Sequence, residues 1–467
     1  MDLSKIKKIY MIGIKGVGMT MLAQFLVGKG YEVSGSDIDE KFMTDQVLEK
    51  AGIKVIENFD ENNIPKDTDL IIYSTAYNEK TNVEVNVALN SKVKTVKFAE
   101  ALGEIFNQYY GIAVVGTHGK TTTTAWLGYV LEQAGKTPSV MVGARVPQFD
   151  GASIVGKSDY LVIEADEYQN KLQYFNPNVV LLNNIEYDHP DFFSTKDDYV
   201  DTFIDFIKRI PKDGILVANF DDPEIRKIAQ VNCRGRVATY AIQEAADYVA
   251  YDIKFENGKQ YFKVKLGVDD EGEEGGLLGD FSIEMPGRHN IYNALAVIAA
   301  CIEMDIDLVS IRTHLEGFTG TARRMEVMGK YMGATIIDDY AHHPTEVKAT
   351  FDAIKQKYPD NKIKAVFHPH TFTRTKALLD DFAKSFDLAD EVIVLDIYGS
   401  AREEQGGVHS SDLVKKIKEQ DEGKKVENIS TLKEVEDYLR DNIERGDVVL
   451  LLGAGDVFRI GENLVKN

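Results

Sequence analysis

Residues 111–126 read GIAVVGTHGKTTTTAW, and this stretch decides the fold class. A buried strand, GIAVVG, runs into a glycine loop, and the loop runs into a helix that begins near Lys120 and Thr121. This is the order of a phosphate-binding loop, but Val114 stands where the usual G-x-x-x-x-G-K-[ST] spacing has its first glycine. The pattern predicts a nucleotide site of a shorter spacing. A glycine turn followed by a solvated lysine is the alternative.

Buried strands alternate with helices on both sides of this stretch. KKIYMIGI, YEVSGSD and LIIYSTA precede it, and DYLVIEAD, NVVLLNNI and GILVANFDD follow it. Such alternation predicts α/β architecture with parallel sheets. Residues 248–285 alternate differently around an NG turn, which predicts a small antiparallel sheet. The acidic segment GVDDEGEEGGLLGD, residues 267–280, is expected to be an exposed loop within it.

The chain is predicted to form three domains. A third alternation opens near residue 323, with ATIIDDY, IKAVFHP, EVIVLD and DVVLLLGAG as strands. We predict a Rossmann-like N-terminal domain over 1–108 and a central P-loop ATPase-type domain, with the small antiparallel sheet, over 109–322. A C-terminal Rossmann-like α/β domain follows over 323–467. A chain of 467 residues has room for about three domains of ordinary size.

Composition limits the class of protein. The 54 basic and 75 acidic side chains give a formal net charge of −21, which argues against a protein that mainly holds a nucleic-acid backbone. Cys233 and Cys301 are far apart and predict neither a disulfide framework nor a zinc site. No apolar window approaches the roughly 18 to 20 residues of a membrane span, and no signal-peptide run precedes the first strand. We expect a cytoplasmic protein with no nucleic-acid or membrane partner.

Carboxylates and a histidine follow two of the predicted central strands. They are Glu164, Asp166, Glu167, Glu186, Asp188 and His189. The carboxyl ends of parallel strands form the edge where ligands bind in open α/β sheets. With the Thr121 hydroxyl, such oxygens predict a Mg²⁺ site. For His189, a hydrogen-bonded loop histidine is the alternative.

The first glycine loop, GIKGVGMT at residues 13–20, follows a strand and opens a helix. Asp37 lies about 20 residues further on, as in a dinucleotide fingerprint, but Lys15 stands at the middle glycine position. A helix N-terminus still favours a phosphate or diphosphate, and a tight turn is the alternative. The hypothesis of an NAD-dependent dehydrogenase would be based on this fold alone, and a fold does not determine function.

The third region contributes histidines and arginines after its strands. His342 and His343 are adjacent, but no Cys/His set completes a metal site with them. Arg324 and Arg374 are interpreted as fork-shaped donors for a carboxylate or phosphate. A surface salt bridge is the alternative for both arginines.

Seven segments, in order, resemble the Mur ligase family of peptidoglycan synthesis. They are GTHGKTTTT, EADE, NNIEYDH, PGRHNIYNALA, GTARRMEV, DDYAHHPTE and FHPHTFTRTKALLDDFAKSF. The resemblance covers nearly the whole chain and implies domains for a UDP-sugar, for ATP and for an amino acid. It implies that ATP and Mg²⁺ serve to join L-alanine to UDP-N-acetylmuramate through an acyl phosphate. The enzyme would be a monomer or weak homodimer.

The resemblance also implies site residues. Those for ATP are Gly116, Thr117, His118, Gly119, Lys120, Thr121, Thr122, His289, Asn290, Arg324, Asp339 and Tyr340. Those for catalysis are Lys120, Glu164, His189, His342, His370 and Arg374. The implied Mg²⁺ ligands are Thr121, Glu164 and His189. Those for the UDP-sugar are Gly16, Val17, Gly18, Ser36, Asp37, Ser74 and Ala76.

Several positions depart from the family pattern. Lys15 and Ala341 replace glycines, Phe98 stands where an arginine often begins the segment, and Thr371 follows His370 where some members have a second arginine. EADEYQNKLQYFNP resembles instead the ligase that recycles murein tripeptide onto UDP-N-acetylmuramate. A tripeptide ligase and a non-catalytic nucleotide-sugar sensor are therefore the alternatives.

Overall fold

The computed structural model of the protein describes residues 5–267, 275–399 and 406–466. The chain packs into two compact units. One is formed by the chain up to Ile185 together with Val200–Tyr248 and Ala296–Phe318. The other is formed by Glu186–Tyr199, Val249–Leu295 and the chain from Thr319 onward.

The first sheet contains five parallel strands in the order β3-β2-β1-β4-β5. They are β1 (Lys8–Ile12), β2 (Glu32–Ser36), β3 (Lys54–Ile56), β4 (Leu70–Tyr73) and β5 (Lys94–Lys97). The accompanying helices are α1 (Val17–Gly28), α2 (Asp45–Lys50), α3 (Val83–Leu89) and α4 (Phe98–Phe106). The strand order reverses between β1 and β4, so the loops after these two strands border a crevice of the kind that binds ligands.

Seven strands of the second sheet belong wholly to the first unit, in the order β12-β11-β10-β6-β9-β7-β8. They are β6 (Tyr110–Val115), β7 (Ser139–Val146), β8 (Gly151–Ile154), β9 (Tyr160–Glu164), β10 (Val179–Leu182), β11 (Ile215–Asn219) and β12 (Arg236–Ala241). Only the pairing of β7 with β8 is antiparallel among the described pairs of these seven. The helices of this region are α5 (Lys120–Gln133), α6 (Lys196–Ile207), α7 (Pro223–Asn232), α8 (Arg288–Glu303) and α9 (Leu308–Glu316).

The predicted small antiparallel sheet is formed by β13 (Tyr248–Glu256), β14 (Lys259–Leu266) and β15 (Leu277–Ile283). Asn257 and Gly258 both have positive φ, +53° and +82°, as a two-residue hairpin turn requires. The predicted acidic loop lies partly outside the described residues. Its last four residues, LLGD, belong to β15, because Lys265 pairs with Leu277 across a β-bulge.

The third sheet has six strands in the order β16-β17-β21-β18-β19-β20. They are β16 (Glu326–Tyr331), β17 (Ala334–Asp339), β18 (Ile363–Phe367), β19 (Glu391–Val394), β20 (Lys425–Asn428) and β21 (Val448–Leu452). The helices are α10 (Pro344–Lys357), α11 (Phe372–Ala377), α12 (Leu379–Ala383), α13 (Ser410–Gln420), α14 (Leu432–Asn442) and α15 (Phe458–Val465). An apolar cluster covers each face of the sheet, since successive strand residues point to opposite faces.

The predicted fold class is confirmed. Each predicted domain carries an α/β sheet, and antiparallel strands occur where the alternation of residues 248–285 indicated them. The domain boundaries at 108/109 and 322/323 stay predictions.

Candidate active site

Two glycines shape the loop between β6 and α5. Gly116 has φ of +132° and Gly119 has φ of +78°, conformations that are costly for a residue with a side chain. A Cβ on Gly116 would lie 2.9 Å from the carbonyl oxygen of Asn184. The free N–H groups of the first turn of α5 begin directly after Gly119. Gly116 therefore lets the loop pack closely on the backbone of Asn184, and the helix N-terminus that follows is a type of site where anions bind.

Lys120 is held by this loop. Its Nζ donates to the carbonyl oxygens of Gly116 at 2.5 Å and Thr117 at 3.1 Å, and it pairs with Glu167 Oε2 at 3.0 Å. Burial lowers the pKa of Lys120, but the carboxylates of Glu167 and Asp166 raise it, and the net pKa is above its ordinary value. Lys120 is therefore a fixed positive charge at neutral pH.

Thr121 and Glu164, two of the predicted metal ligands, lie side by side. Thr121 Oγ1 donates to Glu164 Oε1 at 2.9 Å, and the backbone N–H of Gly143 donates to Glu164 Oε2 at 2.9 Å. A Cβ on Gly143 would lie 2.5 Å from that carboxylate oxygen. Hydroxyl and carboxylate oxygens are ligand types that Mg²⁺ takes.

Five of the residues predicted for the UDP-sugar lie in the two loops of the crevice in the first sheet or in the first turn of α1. Val17 is 49% exposed at the start of α1. The ring of Phe98 packs on Gly18, where a Cβ would lie 2.9 Å from Phe98 Cζ. Ser74 Oγ accepts the N–H of Ala76 at 3.2 Å. The five residues are Gly16, Val17, Gly18, Ser74 and Ala76.

Ser36 and Asp37 do not present free side chains to this crevice. Ser36 is fully buried and its hydroxyl donates to the carboxyl group of Glu84, whose pKa is raised by burial. Asp37 is 4% exposed and accepts the N–H of Lys15 at 2.7 Å and the hydroxyl of Tyr77 at 3.2 Å. The Ser36 side chain is therefore directed into the protein, and the role predicted for Ser36 and Asp37 on the uridine side stays a prediction.

In the second unit, Arg374 forms a buried ion pair with Asp188. Nε and Nη2 of Arg374 lie 3.1 and 3.0 Å from Asp188 Oδ1, and Nη1 lies 3.4 Å from His370 Nδ1. Burial raises the pKa of Asp188, but the charge of Arg374 and the smaller contributions of neighbouring histidines together lower it, and the net pKa is well below its usual range. Arg374 is only 5% exposed, so the surface salt bridge considered for it is wrong.

His342 lies between Tyr340 and His370, with its ring centroid 5.2 and 6.2 Å from theirs. Its Nδ1 is 2.9 Å from the carbonyl oxygen of Tyr340 and 3.2 Å from Glu346 Oε2. Because both neighbours are acceptors, Nδ1 carries the proton and Nε2 is an acceptor. Burial lowers the pKa of His342 to about 3, so the ring is neutral at pH 7.

His289 and Asn290 lie at the start of α8. Burial lowers the pKa of His289 to about 4, and the charge of Arg324 adds to this effect. Asn290 is buried, and its side chain donates to the carbonyl oxygen of Pro286 at 2.7 Å and accepts from Asn293 at 3.2 Å. The Asn290 amide is therefore already bonded to its own segment.

Arg324 and Tyr340 lie together, with the guanidinium 5.2 Å from the ring centroid. Asp339 is buried beside them and accepts the backbone N–H groups of Met325 and Ala341, both at 2.8 Å. Asp339 thus orders the two turns that carry the predicted nucleotide residues.

His189 has φ of +56°, and its N–H donates to Asp188 Oδ1 at 2.7 Å. Thr121 and Glu164 belong to the first unit and His189 to the second, so a metal site that they share stays a prediction.

Comparison with known proteins identifies the family. The Mur ligase family, catalytic domain, matches residues 8–110; the Mur ligase middle domain matches 114–301; and the Mur ligase, glutamate ligase domain, matches 323–455. The UDP-N-acetylmuramate–L-alanine ligase of Desulfitobacterium hafniense is 39% identical over 98% of this chain and 99% of its own. The chain belongs to the Mur ligase family.

Solved structures of other Mur ligases share this architecture. The crystal structure of the UDP-N-acetylmuramate–alanine ligase of Thermotoga maritima superposes with a TM-score of 0.83 at 26% identity, over 98% of both chains. The UDP-N-acetylmuramate:L-alanyl-γ-D-glutamyl-meso-diaminopimelate ligase of Neisseria meningitides superposes with a TM-score of 0.61 at 28% identity. That match covers 68% of this chain and 100% of the other.

The first unit of this Mur ligase fits the nucleotide and metal of its family. The N-terminus of α5 begins directly after Gly119, and its first turn contains no acidic residue. Lys120 adds a positive charge, and Thr121 and Glu164 offer two adjacent oxygens. Along the described chain, no helix is long and apolar enough to cross a bilayer.

Two asparagines of this Mur ligase support the phosphate loop, and the sequence analysis did not single them out. Asn184 Oδ1 accepts the N–H of His118 at 2.7 Å, and its carbonyl oxygen accepts the N–H of Thr117 at 3.1 Å. Asn183 donates to Thr123 Oγ1 at 3.1 Å. Their signal in the sequence was a polar pair directly after a buried strand.

Arg323, next to the predicted Arg324, was also missed. Its Nε donates to Asp338 Oδ2 at 3.0 Å, and its Nη2 donates to the carbonyl oxygens of Gly453 at 2.7 Å and Gly455 at 3.1 Å. Both guanidinium groups lie over the ring of Tyr340, 4.9 Å from its centroid for Arg323 and 5.2 Å for Arg324, and Arg323 in addition binds the loop after β21.

Proposed function

We propose that this chain is an ATP-dependent ligase that joins L-alanine to the carboxylate of UDP-N-acetylmuramate. The observation that carries this proposal is 39% identity, over 98% of the chain, to a UDP-N-acetylmuramate–L-alanine ligase. The phosphate loop and the Thr121–Glu164 pair supply the corresponding chemistry. The proposed location is the cytoplasm.

The first unit would bind and orient the phosphates. ATP with Mg²⁺ supplies the phosphoryl group that activates the muramoyl carboxylate. Lys120 would exchange its contacts with the loop carbonyls for phosphate oxygens and offset the charge that phosphoryl transfer redistributes. Thr121 and Glu164 would hold the metal, with the Gly143 N–H fixing the orientation of the carboxylate.

The cluster around Arg374 would receive the amino acid. His342 is neutral and its Nε2 is an acceptor, so it can accept a hydrogen bond from the amine of L-alanine. Nε and Nη2 of Arg374 face Asp188, whereas Nη1 is directed toward His370 and would bind the amino-acid carboxylate. Asp188 would keep Arg374 in this orientation.

The remaining predicted roles are proposals on the same basis. His289, Asn290, Arg324, Asp339 and Tyr340 would contact the nucleotide, and the side chains of Asn290 and Asp339 also order their own loops. Gly16, Val17 and Gly18 would bind the diphosphate through backbone groups. We also propose the two domain boundaries near 108 and 322, which the ranges of the matching family domains support.

The deciding experiment is phosphate release from MgATP and UDP-N-acetylmuramate, with and without L-alanine. Release that requires both substrates is expected. Release with the murein tripeptide but not with L-alanine would contradict the proposal and assign the chain to peptide recycling. Absence of release with either amine, in a protein that binds the UDP-sugar, would favour the sensor.

Glu164→Ala distinguishes the proposed role of Glu164 at the metal from a role in binding the UDP-sugar. We expect it to abolish phosphate release and to leave UDP-N-acetylmuramate affinity nearly unchanged in calorimetry, because Glu164 and the first glycine loop belong to different sheets. Glu419→Ala, at an exposed position of α13, is the matched control and should retain activity. Loss of sugar affinity in Glu164→Ala would contradict the assigned roles.

A further inference from the structure

Lys15 is a buried lysine in the glycine loop that precedes α1. Its side chain is only 1% exposed, although lysine is seldom buried without partners. This residue stands at a position where the family resemblance implies glycine. The mechanism proposed above gives it no role.

The ammonium of Lys15 is bonded to the connection between β2 and α2. Nζ donates to the carbonyl oxygens of Ile38 at 3.2 Å and Glu40 at 2.8 Å, and to Glu57 Oε1 at 2.8 Å. Asp45 Oδ1 lies 3.6 Å away. Burial lowers the pKa of Lys15, but these carboxylates raise it above its ordinary value, so the charge is retained.

The backbone of Lys15 makes two more bonds to the same connection. Its N–H donates to Asp37 Oδ2 at 2.7 Å, and its carbonyl oxygen accepts from Thr44 Oγ1 at 2.5 Å. Side chain and main chain together therefore join the glycine loop to residues 37–45, which we call the 37–45 segment. This segment carries Phe42 and Met43, which are 37% and 43% exposed.

We propose that Lys15 is a positioning residue for the UDP-sugar: it ties the 37–45 segment to the glycine loop, so that this side of the binding site is built before the ligand arrives. The inference rests on the proposed function, in which that loop binds the diphosphate. A site formed in advance loses less conformational entropy on binding and so binds more tightly. Glycine at the same position could supply only the two backbone bonds.

Lys15→Met tests the proposal, because methionine keeps most of the apolar stem and removes the ammonium. We expect the Kd for UDP-N-acetylmuramate to rise about tenfold, as the lost charged hydrogen bonds leave the segment free to move. The KM for the sugar should rise with it, while kcat and the KM for ATP stay unchanged. Lys15→Arg, which keeps the charge, should restore part of the affinity.

Hydrogen exchange of the ligand-free protein supplies a second readout. Backbone amides of the 37–45 segment should exchange faster in Lys15→Met than in the wild type, while those of α5 (Lys120–Gln133) exchange as before. Lys50→Met is the matched control, since Lys50 pairs with Asp150 but is 64% exposed. It should change neither the exchange nor the affinity.

Equal sugar affinity in wild type and Lys15→Met would overturn the inference, as would a parallel loss of ATP affinity, which a merely structural role produces. If Lys15→Met does not fold, Glu57→Gln removes the ion pair from its exposed partner and should raise the sugar Kd in the same direction. An unchanged Kd there would also overturn it. A wild-type protein that binds the sugar but releases no phosphate would contradict the proposed reaction and would leave the inference about Lys15 standing.

Discussion

Asp188 and Arg374 form an ion pair in which each buried charge depends on the other for its solvation. Asp188→Asn leaves the guanidinium buried without a counter-charge, and we expect it to lower the free energy of unfolding by about 3 kcal/mol at pH 7. Urea unfolding measures the loss. Asp380→Asn is the control, because Asp380 pairs with Lys416 at the surface, and it should have little effect.

The same pair predicts a pH dependence. Arg374 holds the pKa of Asp188 below its unfolded value of about 3.9. A depressed carboxyl pKa contributes stability that is present above the unfolded pKa and is lost as the pH falls below it. The stability advantage of wild type over Asp188→Asn should therefore be full at pH 7 and smaller at pH 3. An advantage that does not change with pH would contradict this account.

Individual residues also show which contacts can be predicted from the sequence and which cannot. Lys120, Thr121 and Glu164 could be predicted because a loop motif and the carboxyl end of a strand locate them without knowledge of distant contacts. The burial of Ser36 against Glu84 could not, because the two residues are 48 positions apart and only the packing of α3 joins them. The pairing of Arg374 with Asp188, 186 positions away, was hidden for the same reason.

At the scale of the element, α5 has a left-handed glycine at each end. Gly119 has φ of +78° and Gly135 has φ of +77°, and a Cβ on Gly135 would meet nothing within 4 Å. Alanine at either position should cost roughly 1 kcal/mol of stability, from the same backbone strain. Only Gly119→Ala should also weaken ATP binding, because Gly119 belongs to the phosphate loop.

Trp126 reports the stability of both variants. It is the single tryptophan of the chain, it is fully buried in α5, and its Nε1 donates to the carbonyl oxygen of Leu315 at 3.0 Å. When unfolding is followed by Trp126 fluorescence, Gly119→Ala and Gly135→Ala should lose the same amount of free energy of unfolding. Calorimetry should show weaker ATP binding for Gly119→Ala only. Equal ATP affinities would argue against the role of the loop.

The start of β15 shows where an element escaped prediction. LLGD ends the acidic, glycine-rich segment 267–280 and was predicted to be part of a loop, yet it pairs with β14 through a bulge. Pairing with a neighbouring strand overrides the weak preference of these residues for a loop. The NG turn before β14 can be recognised from its two residues alone.

At the scale of the whole molecule, three histidines of the second unit have a lowered pKa. Burial lowers the pKa of His289, His342 and His368 to about 4, 3 and 4. Below an unfolded pKa of about 6.5, protons bind the unfolded chain preferentially, so stability present above that pH is lost on acidification. We expect the protein to be less stable at pH 5 than at pH 7.

His342→Gln tests this dependence. Glutamine does not titrate, so the variant should lose about 2 kcal/mol less than wild type between pH 7 and pH 5 in urea unfolding. His314→Gln, a substitution in α9 of the first unit, is the control and should follow the wild-type profile. A His342→Gln profile identical to that of wild type would contradict the neutral, buried state of this ring.

The three α/β sheets, the glycine loop before α5 and the strand-end carboxylate near it could be predicted from the sequence alone, because the hydrophobic period, glycine turns and strand ends act within a few residues. Tertiary structure alone decided which side chains are already bonded inside the protein. It directed Ser36 to Glu84, Arg374 to Asp188 and Lys15 to Glu57. A buried polar group must find a partner wherever the fold brings one near, and that choice depends on packing between residues distant in the chain.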